Sequence, residues 1–121
     1  MKNATSVSIG FLILTRVAFA DPAVPNDPRD EIAACVRVFD DGLRGDLEHR
    51  LEEASVETGR KTVSCFYHLT HNDQVRALYH RCYTVYLTAG WSAAVYGGPG
   101  GNVGTAAMGR CLAEFGRNLT R

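Results

Sequence analysis

The sequence predicts an all-α protein, a small bundle of four to five helices cross-linked by two disulfides. Several separate segments carry apolar residues at the spacing of one helical face. All four cysteines fall on the apolar sides of these segments. An even number of cysteines in a short exported chain is typical of a disulfide-bonded domain.

Residues 1–20 have the features of a secretory signal peptide. Lys2 precedes an apolar run, and Ala18 and Ala20 form an Ala-x-Ala cleavage site. Arg16 interrupts the run, which is shorter than the roughly 20 apolar residues of a membrane-spanning helix. We therefore expect cleavage after Ala20, a secreted or periplasmic location and no transmembrane segment in the mature chain.

Residues 21–27 hold two prolines and no apolar periodicity, which predicts a flexible N-terminal arm. Residues 28–121 are then expected to form a single helical, disulfide-bonded domain. Asp27 can cap its first helix, and Pro28 suits the first helical position. The apolar stripe of this helix consists of Ile32, Cys35, Val36, Phe39 and Leu43.

Gly42 and Gly45 leave two interpretations of the segment that follows. Either one long bent helix runs to about Ser55, or two helices meet near Gly42. Glycine in a helix interior costs about 1 kcal/mol relative to alanine. We therefore favour a break near Gly42.

Residues 61–70, KTVSCFYHLT, follow Gly59, which is predicted to be a cap. Their apolar residues alternate as in a strand, although the length also fits a short helix. A lone strand would leave its backbone groups unpaired, because no other segment of the chain predicts a partner strand. A helix is therefore the favoured prediction.

The segment THNDQVRALYHRCYTVYLTAG has the strongest helical period and is predicted to be the core helix. Thr70 or Asn72 can cap it, and Gly90 is expected to end it. The last helix is predicted over TAAMGRCLAEFGRNL, with Asn102 or Thr105 as its cap. Between these two helices the glycine-rich residues 96–105 are expected to form a linker.

This glycine-rich segment is not predicted to bind phosphate. A Walker loop needs a lysine followed by serine or threonine after its last glycine, but Gly104 is followed directly by Thr105. A dinucleotide-binding loop would need a third glycine where Val103 stands, and a strand before the loop.

Disulfides are expected to join packed helices, because each cysteine lies on an apolar helix face. The favoured pairs are Cys35–Cys111 and Cys65–Cys82. Zinc binding by the cysteines is disfavoured, since none of them form a Cys-x2-Cys pair.

Charge excludes nucleic acid as the expected partner. The full chain has thirteen basic and thirteen acidic residues. Cleavage of the signal peptide would remove two basic residues, Lys2 and Arg16, and no acidic residue, so the mature chain would carry a net negative charge. A net negative domain lacks the basic surface that binds phosphates.

His68 and His71 are the candidate metal ligands, with His80 further along the chain. Their three-residue spacing would place two imidazoles on one helical face, as a metal or haem-type site requires. Residues 69 and 70 between them indicate a turn, however, and the chain has no Cys-x2-Cys-His haem motif. We expect surface or capping histidines and no cofactor.

Tyr83, Trp91 and Tyr96 are the candidate binding residues. Tyr83 lies at the edge of its apolar stripe and Trp91 follows a glycine, so these two are expected to be exposed. Tyrosine and tryptophan commonly anchor protein interfaces.

Catalysis is not expected. The serines Ser55, Ser64 and Ser92 lie in no nucleophile-elbow sequence, and paired cysteines cannot act as nucleophiles. We therefore predict a small exported, non-catalytic binding protein of the inhibitor, immunity or host-interaction type, with a protein as its partner. The alternatives are a small-ligand, metal or haem carrier that uses histidines and tyrosines, and a small secreted hydrolase.

Overall fold

The computed structural model describes residues 27–121, which form four α-helices and, within this range, no strand. The helices are α1 (Arg29–Glu48), α2 (Val56–Tyr67), α3 (Asp73–Val95) and α4 (Gly100–Leu119). The all-α prediction is confirmed. The predicted signal peptide and all but the last residue of the predicted arm lie outside the described residues.

Helix α4 lies at the centre of the bundle and packs against each of the other three helices. It contributes more buried residues than any other helix, whereas α3, the predicted core helix, buries only Val75, Leu78 and Cys82. Small residues allow α4 this position. A Cβ atom on Gly109 would lie 2.6 Å from the Cα of Gly59, so the α2 and α4 backbones are nearly in contact.

The predicted break near Gly42 is wrong, because α1 continues through Gly42 and Gly45 to Glu48. A Cβ on Gly42 would lie 2.5 Å from the Thr58 Oγ1 atom, so this glycine allows α2 to pack closely against α1. The chain leaves the helix after His49 and reverses at Arg50, which has a positive φ of 68°.

The helical prediction for residues 61–70 is confirmed in type, although α2 begins earlier and ends at Tyr67. Ser55 caps it, because its Oγ accepts the Thr58 N–H at 3.2 Å. Gly59, the predicted cap, lies inside α2, where a Cβ would clash with the Thr105 carbonyl at 2.7 Å.

Asn72 caps α3 as predicted, with its side-chain oxygen accepting the N–H groups of Gln74 and Val75 at 2.9 and 3.2 Å. The predicted end of this helix at Gly90 is wrong, since α3 continues to Val95. Gly90 instead allows a close approach to Gly100, whose carbonyl oxygen would lie 2.9 Å from an added Cβ.

The glycine-rich segment divides between a turn and a helix. Only residues 96–99 connect α3 to α4, with Gly97 at a φ of +83°. Pro99 precedes the first residue of α4, so the helix starts before the predicted caps Asn102 and Thr105. The predicted linker over residues 96–105 is therefore too long.

The two disulfides join Cys35 to Cys65 and Cys82 to Cys111, each with a Cα–Cα distance of 5.6 Å. The predicted pairs Cys35–Cys111 and Cys65–Cys82 are wrong. Helix α1 packs against α2 and α3 against α4, whereas α2 barely touches α3, and each bridge therefore joins two helices that are consecutive in the chain. None of the helices within residues 27–121 is long and apolar enough to cross a membrane.

Candidate functional site

The two candidate metal ligands do not share a helical face. His68 is the residue that ends α2, and His71 lies in the turn that precedes α3. The His68 ring makes an edge contact with Tyr67, with 6.0 Å between ring centroids. Among residues 27–121 no group of three or more potential ligands is arranged to hold a metal ion.

The hairpin of α3 and α4 contains a long uncharged segment. No Asp, Glu, Lys or Arg occurs from residue 82 to residue 109, which covers the second half of α3, the turn and the first half of α4. Large apolar side chains are nevertheless exposed here. Seven such residues are Tyr83, Val85, Leu87, Trp91, Val95, Tyr96 and Val103.

Four of these side chains form one continuous row, which we term the α3 ridge: Tyr83, Leu87, Trp91 and Val95. Their four-residue spacing places them side by side along one face of the helix. The exposed fractions are 46%, 52%, 72% and 57% in chain order. At 1.5 Å per residue the ridge is about 18 Å long.

Tyr83 and Trp91, both predicted as binding residues, therefore lie on one surface, but Tyr96 does not. Tyr96 is 90% exposed at the end of α3. It is the C-cap of α3, the first residue after Val95. Tyr96 therefore lies beyond the end of the row, next to the turn, and is not one of its members.

A row of short polar side chains runs beside the ridge. Thr84, Thr88 and Ser92 are exposed and repeat at the same four-residue spacing. They line a shallow hollow together with Arg81, Val85 and Ala89, which we term the α3 groove. The outer surface of α3 thus consists of a large apolar ridge next to an open groove.

Close packing between α3 and α4 positions the ridge. The inner face of α3 lies so near α4 that a Cβ on Gly104 would be 2.7 Å from the Tyr86 carbonyl oxygen. The Tyr83 ring stacks on Tyr86, with centroids 5.6 Å apart and an angle of 15° between planes. The Cys82–Cys111 disulfide ties the hairpin at the start of the ridge.

The charged residues that flank the uncharged segment have partners elsewhere. The Arg81 guanidinium lies 4.5 Å from the centre of the Phe115 ring, a cation–π contact. Arg110 donates to Glu53 at 3.3 Å. No described ion pair involves a residue of the ridge or of the groove.

A second hollow lies on the tyrosine side of the bundle, lined by Val63, Tyr79, Tyr83, Tyr86, Thr105 and Met108. Burial raises the pKa of Tyr79, and the neighbouring Tyr67 and Tyr83 act in the same direction. This hollow includes neither His68 nor His71.

Ser55, one of the candidate nucleophiles, has a capping role. Its Oγ caps α2, and its backbone N–H donates to an Asp46 carboxylate oxygen at 2.7 Å. Thr58 donates its hydroxyl to the same oxygen at 2.8 Å. This network joins the end of α1 to the start of α2 and holds Asp46 in its charged form.

Sequence reasoning identified Tyr83 and Trp91 but missed Leu87 and Val95. Leu87 does not belong to the predicted apolar stripe of this helix, and Val95 lies beyond Gly90, where the helix was predicted to end. The signal that identifies them is the absence of charge after Arg81 together with a four-residue spacing of large apolar residues.

Comparison with known proteins gives no relative: the chain matches no protein-family model, no curated protein and no solved structure at a significant level.

Proposed function

We propose that this chain is a small exported, non-catalytic protein that acts by binding another protein, in the manner of an inhibitor, an immunity protein or a host-interaction factor. The observation that carries the proposal is the α3 ridge. Leu87, Trp91 and Val95 each expose more than half of their surface, in one row on a part of α3 that contains no charged residue.

Such a ridge is costly to leave in water. Burial of apolar surface contributes about 25 cal/mol per Å², and tryptophan and tyrosine are the residues most enriched among energetic hot spots of interfaces. The helix is held rigidly by α4 and by a disulfide, so binding would not require the ridge itself to become ordered first.

The convex shape of the ridge favours a macromolecular partner over a small ligand. Small-molecule sites are concave and surround most of the ligand. Trp91, at 72% exposure, stands out from the surface and would fit a pocket on a partner protein.

Export is supported by the two disulfides, because structural disulfides form and persist in oxidising compartments. The absence of free cysteines in residues 27–121 agrees with that environment.

Capture of the partner tests the proposal. The full chain, purified from an oxidising compartment with both disulfides formed, is immobilised, and bound proteins are identified by mass spectrometry. We expect a stoichiometric protein partner that is lost with Trp91→Ala. Tyr67→Ala is the matched control, because Tyr67 is an aromatic residue of similar exposure, 59%, outside the ridge.

Both substitutions are expected to leave the fold intact, which circular dichroism can verify, because exposed side chains contribute little to stability. Equal capture by the parent and Trp91→Ala, or no protein captured at all, would contradict the proposal.

A second candidate function is the carriage of a small ligand, and the tyrosine-lined hollow favours it. Tyr79, Tyr83 and Met108 offer aromatic and thioether surfaces to an apolar molecule. Mass spectrometry of small molecules that copurify with the chain distinguishes ligand carriage from protein binding. Ligand carriage predicts a bound small molecule that is lost with Tyr79→Ala and retained with Trp91→Ala.

A further inference from the structure

We propose that the α3 ridge is an interface between two copies of this chain related by a two-fold axis. The inference rests on the proposed function, because it takes the same ridge as a protein-binding surface and names a protein that covers it. It adds an oligomeric state and a packing geometry.

The outer surface of α3 has a shape that can fit a second copy of itself. A two-fold interface requires a surface that is complementary to itself, since the same residues face each other from both copies. The outer surface of α3 has this property, because a ridge of large side chains lies next to a groove lined by Thr84, Thr88 and Ser92. The ridge of each copy can enter the groove of the other.

The spacing sets the expected crossing angle. Rows of residues four apart, packed into grooves of the same kind, give helices that cross at about −50°, which is the commonest class of helix packing in globular proteins. Trp91 and Leu87 lie near the middle of the row and would be the central contacts. Tyr83 and Val95 would lie towards the edges of the interface.

The low charge of this surface also suits self-association. Identical charges on a two-fold interface meet their own copies and repel each other, so a charged surface is poorly suited to self-association. The ridge contains no charged residue, and the groove has one, Arg81, at the end that precedes the ridge. The Arg81 guanidinium is engaged with the Phe115 ring.

A lipid surface is the alternative occupant, and the same observations disfavour it. Helices that lie in a membrane interface typically carry Lys and Arg on their polar face. The segment from residue 82 to residue 109 has neither, and the groove beside the ridge carries a single arginine, Arg81, with two threonines and a serine.

The available area predicts a weak dimer. At the observed exposures each ridge residue offers on the order of 100 Å², since a fully buried aromatic side chain covers about 150–250 Å². The ridge therefore supplies about half of the roughly 800 Å² per partner of a standard interface, and the groove adds to it. We infer a concentration-dependent dimer, which leaves the ridge accessible to a tighter partner.

Sedimentation equilibrium on the oxidised full chain tests the inference over about 1 to 200 μM. We expect a reversible monomer–dimer equilibrium for the parent chain. Because Leu87 would lie at the centre of the interface, Leu87→Lys should raise the dissociation constant at least about tenfold. Lysine has a helix propensity close to that of leucine, so the substitution should not unfold α3.

Leu47→Lys is the matched control, because Leu47 is also a leucine with 52% exposure but lies on α1. It is expected to leave the dissociation constant unchanged. A dimer that Leu47→Lys and Leu87→Lys weaken equally, or that neither weakens, would overturn the ridge as the interface.

A chain that stays monomeric at about 200 μM overturns the inference. Flotation of this monomer with vesicles of zwitterionic or anionic lipid would then assign the ridge to a membrane surface instead. A different result would contradict the proposed function, namely a capture experiment that yields no partner other than the chain itself. Partner capture lost with Trp91→Ala by a monomeric chain would leave the function standing without the dimer.

Discussion

At the scale of single residues, the clearest example of local chemistry is the Asp46 carboxylate. It accepts the Ser55 N–H and the Thr58 hydroxyl, and so joins the end of α1 to the start of α2. These hydrogen bonds, that from the Ser55 backbone first, lower the pKa of Asp46 below its ordinary value of 3.8. The carboxylate is therefore more stable in the folded chain than in the unfolded chain.

This shift predicts a pH dependence of stability. A carboxyl group with a lowered pKa in the folded state stabilises the fold above its unfolded pKa, and this stabilisation is lost as the pH falls through the folded pKa. We expect Asp46→Asn to lower the free energy of unfolding at pH 7 and to reduce its loss between pH 7 and about pH 3.

Urea denaturation at the two pH values measures both effects. A difference in unfolding free energy between pH 7 and about pH 3 that is the same in the parent and in Asp46→Asn would show that Asp46 does not contribute to the pH dependence.

At the scale of helices, the sequence predicted their existence better than their ends. The apolar stripes depend on one segment alone, and each predicted stripe forms a helix. The errors arose at Gly42, Gly59 and Gly90, which were interpreted as breaks or caps. Each allows a close approach between helices, and that use depends on the facing helix, which a single segment does not reveal.

The disulfide pairing has the same explanation. The apolar position of each cysteine shows that it faces another helix, but not which one. The choice depends on the packing of α1 with α2 and of α3 with α4, which is a property of the whole bundle and not of any one segment. For the candidate site, likewise, Tyr83 and Trp91 were predictable as aromatic residues at the edge of a stripe. The exposure of Leu87 and Val95 depends on α4 covering only the other face of α3.

The packing role of these glycines predicts opposite effects for two substitutions of one type. Gly109→Ala would place a Cβ 2.6 Å from the Gly59 Cα and 2.9 Å from its carbonyl oxygen, and backbone atoms cannot move aside cheaply. We expect a loss of about 1–3 kcal/mol in the free energy of unfolding, as for other overpacked sites.

Gly45→Ala is the control, because Gly45 is also helical but has no atom within 4 Å of an added Cβ. The alanine should stabilise α1 by about 0.5–1 kcal/mol. Denaturation of the oxidised proteins measures both values. Equal effects of the two substitutions would contradict the close contact between α2 and α4.

At the scale of the whole molecule, charge is unevenly distributed along the α3–α4 hairpin. Ion pairs occur at the start of α3 and in the second half of α4, among them the pairs Asp40–Arg117 and Glu53–Arg110. The rest of the hairpin has no charged residue of its own and exposes the ridge. Charged residues near it come from the connection between α1 and α2, where Glu52 and Glu53 line a hollow with Ala89 and Pro99.

The most direct test of the α3 ridge as a binding surface is the fluorescence of Trp91, the single tryptophan of the chain. Its emission reports the environment of the α3 ridge without any label. We expect the emission of a solvent-exposed indole in the dilute chain, and a shift to shorter wavelength as a second copy or a captured partner covers the ridge. Leu87→Lys should abolish the concentration-dependent shift, and Leu47→Lys should not. Emission of a buried indole in the dilute monomer, or an emission unchanged by concentration and by every captured partner, would contradict the ridge as a binding surface.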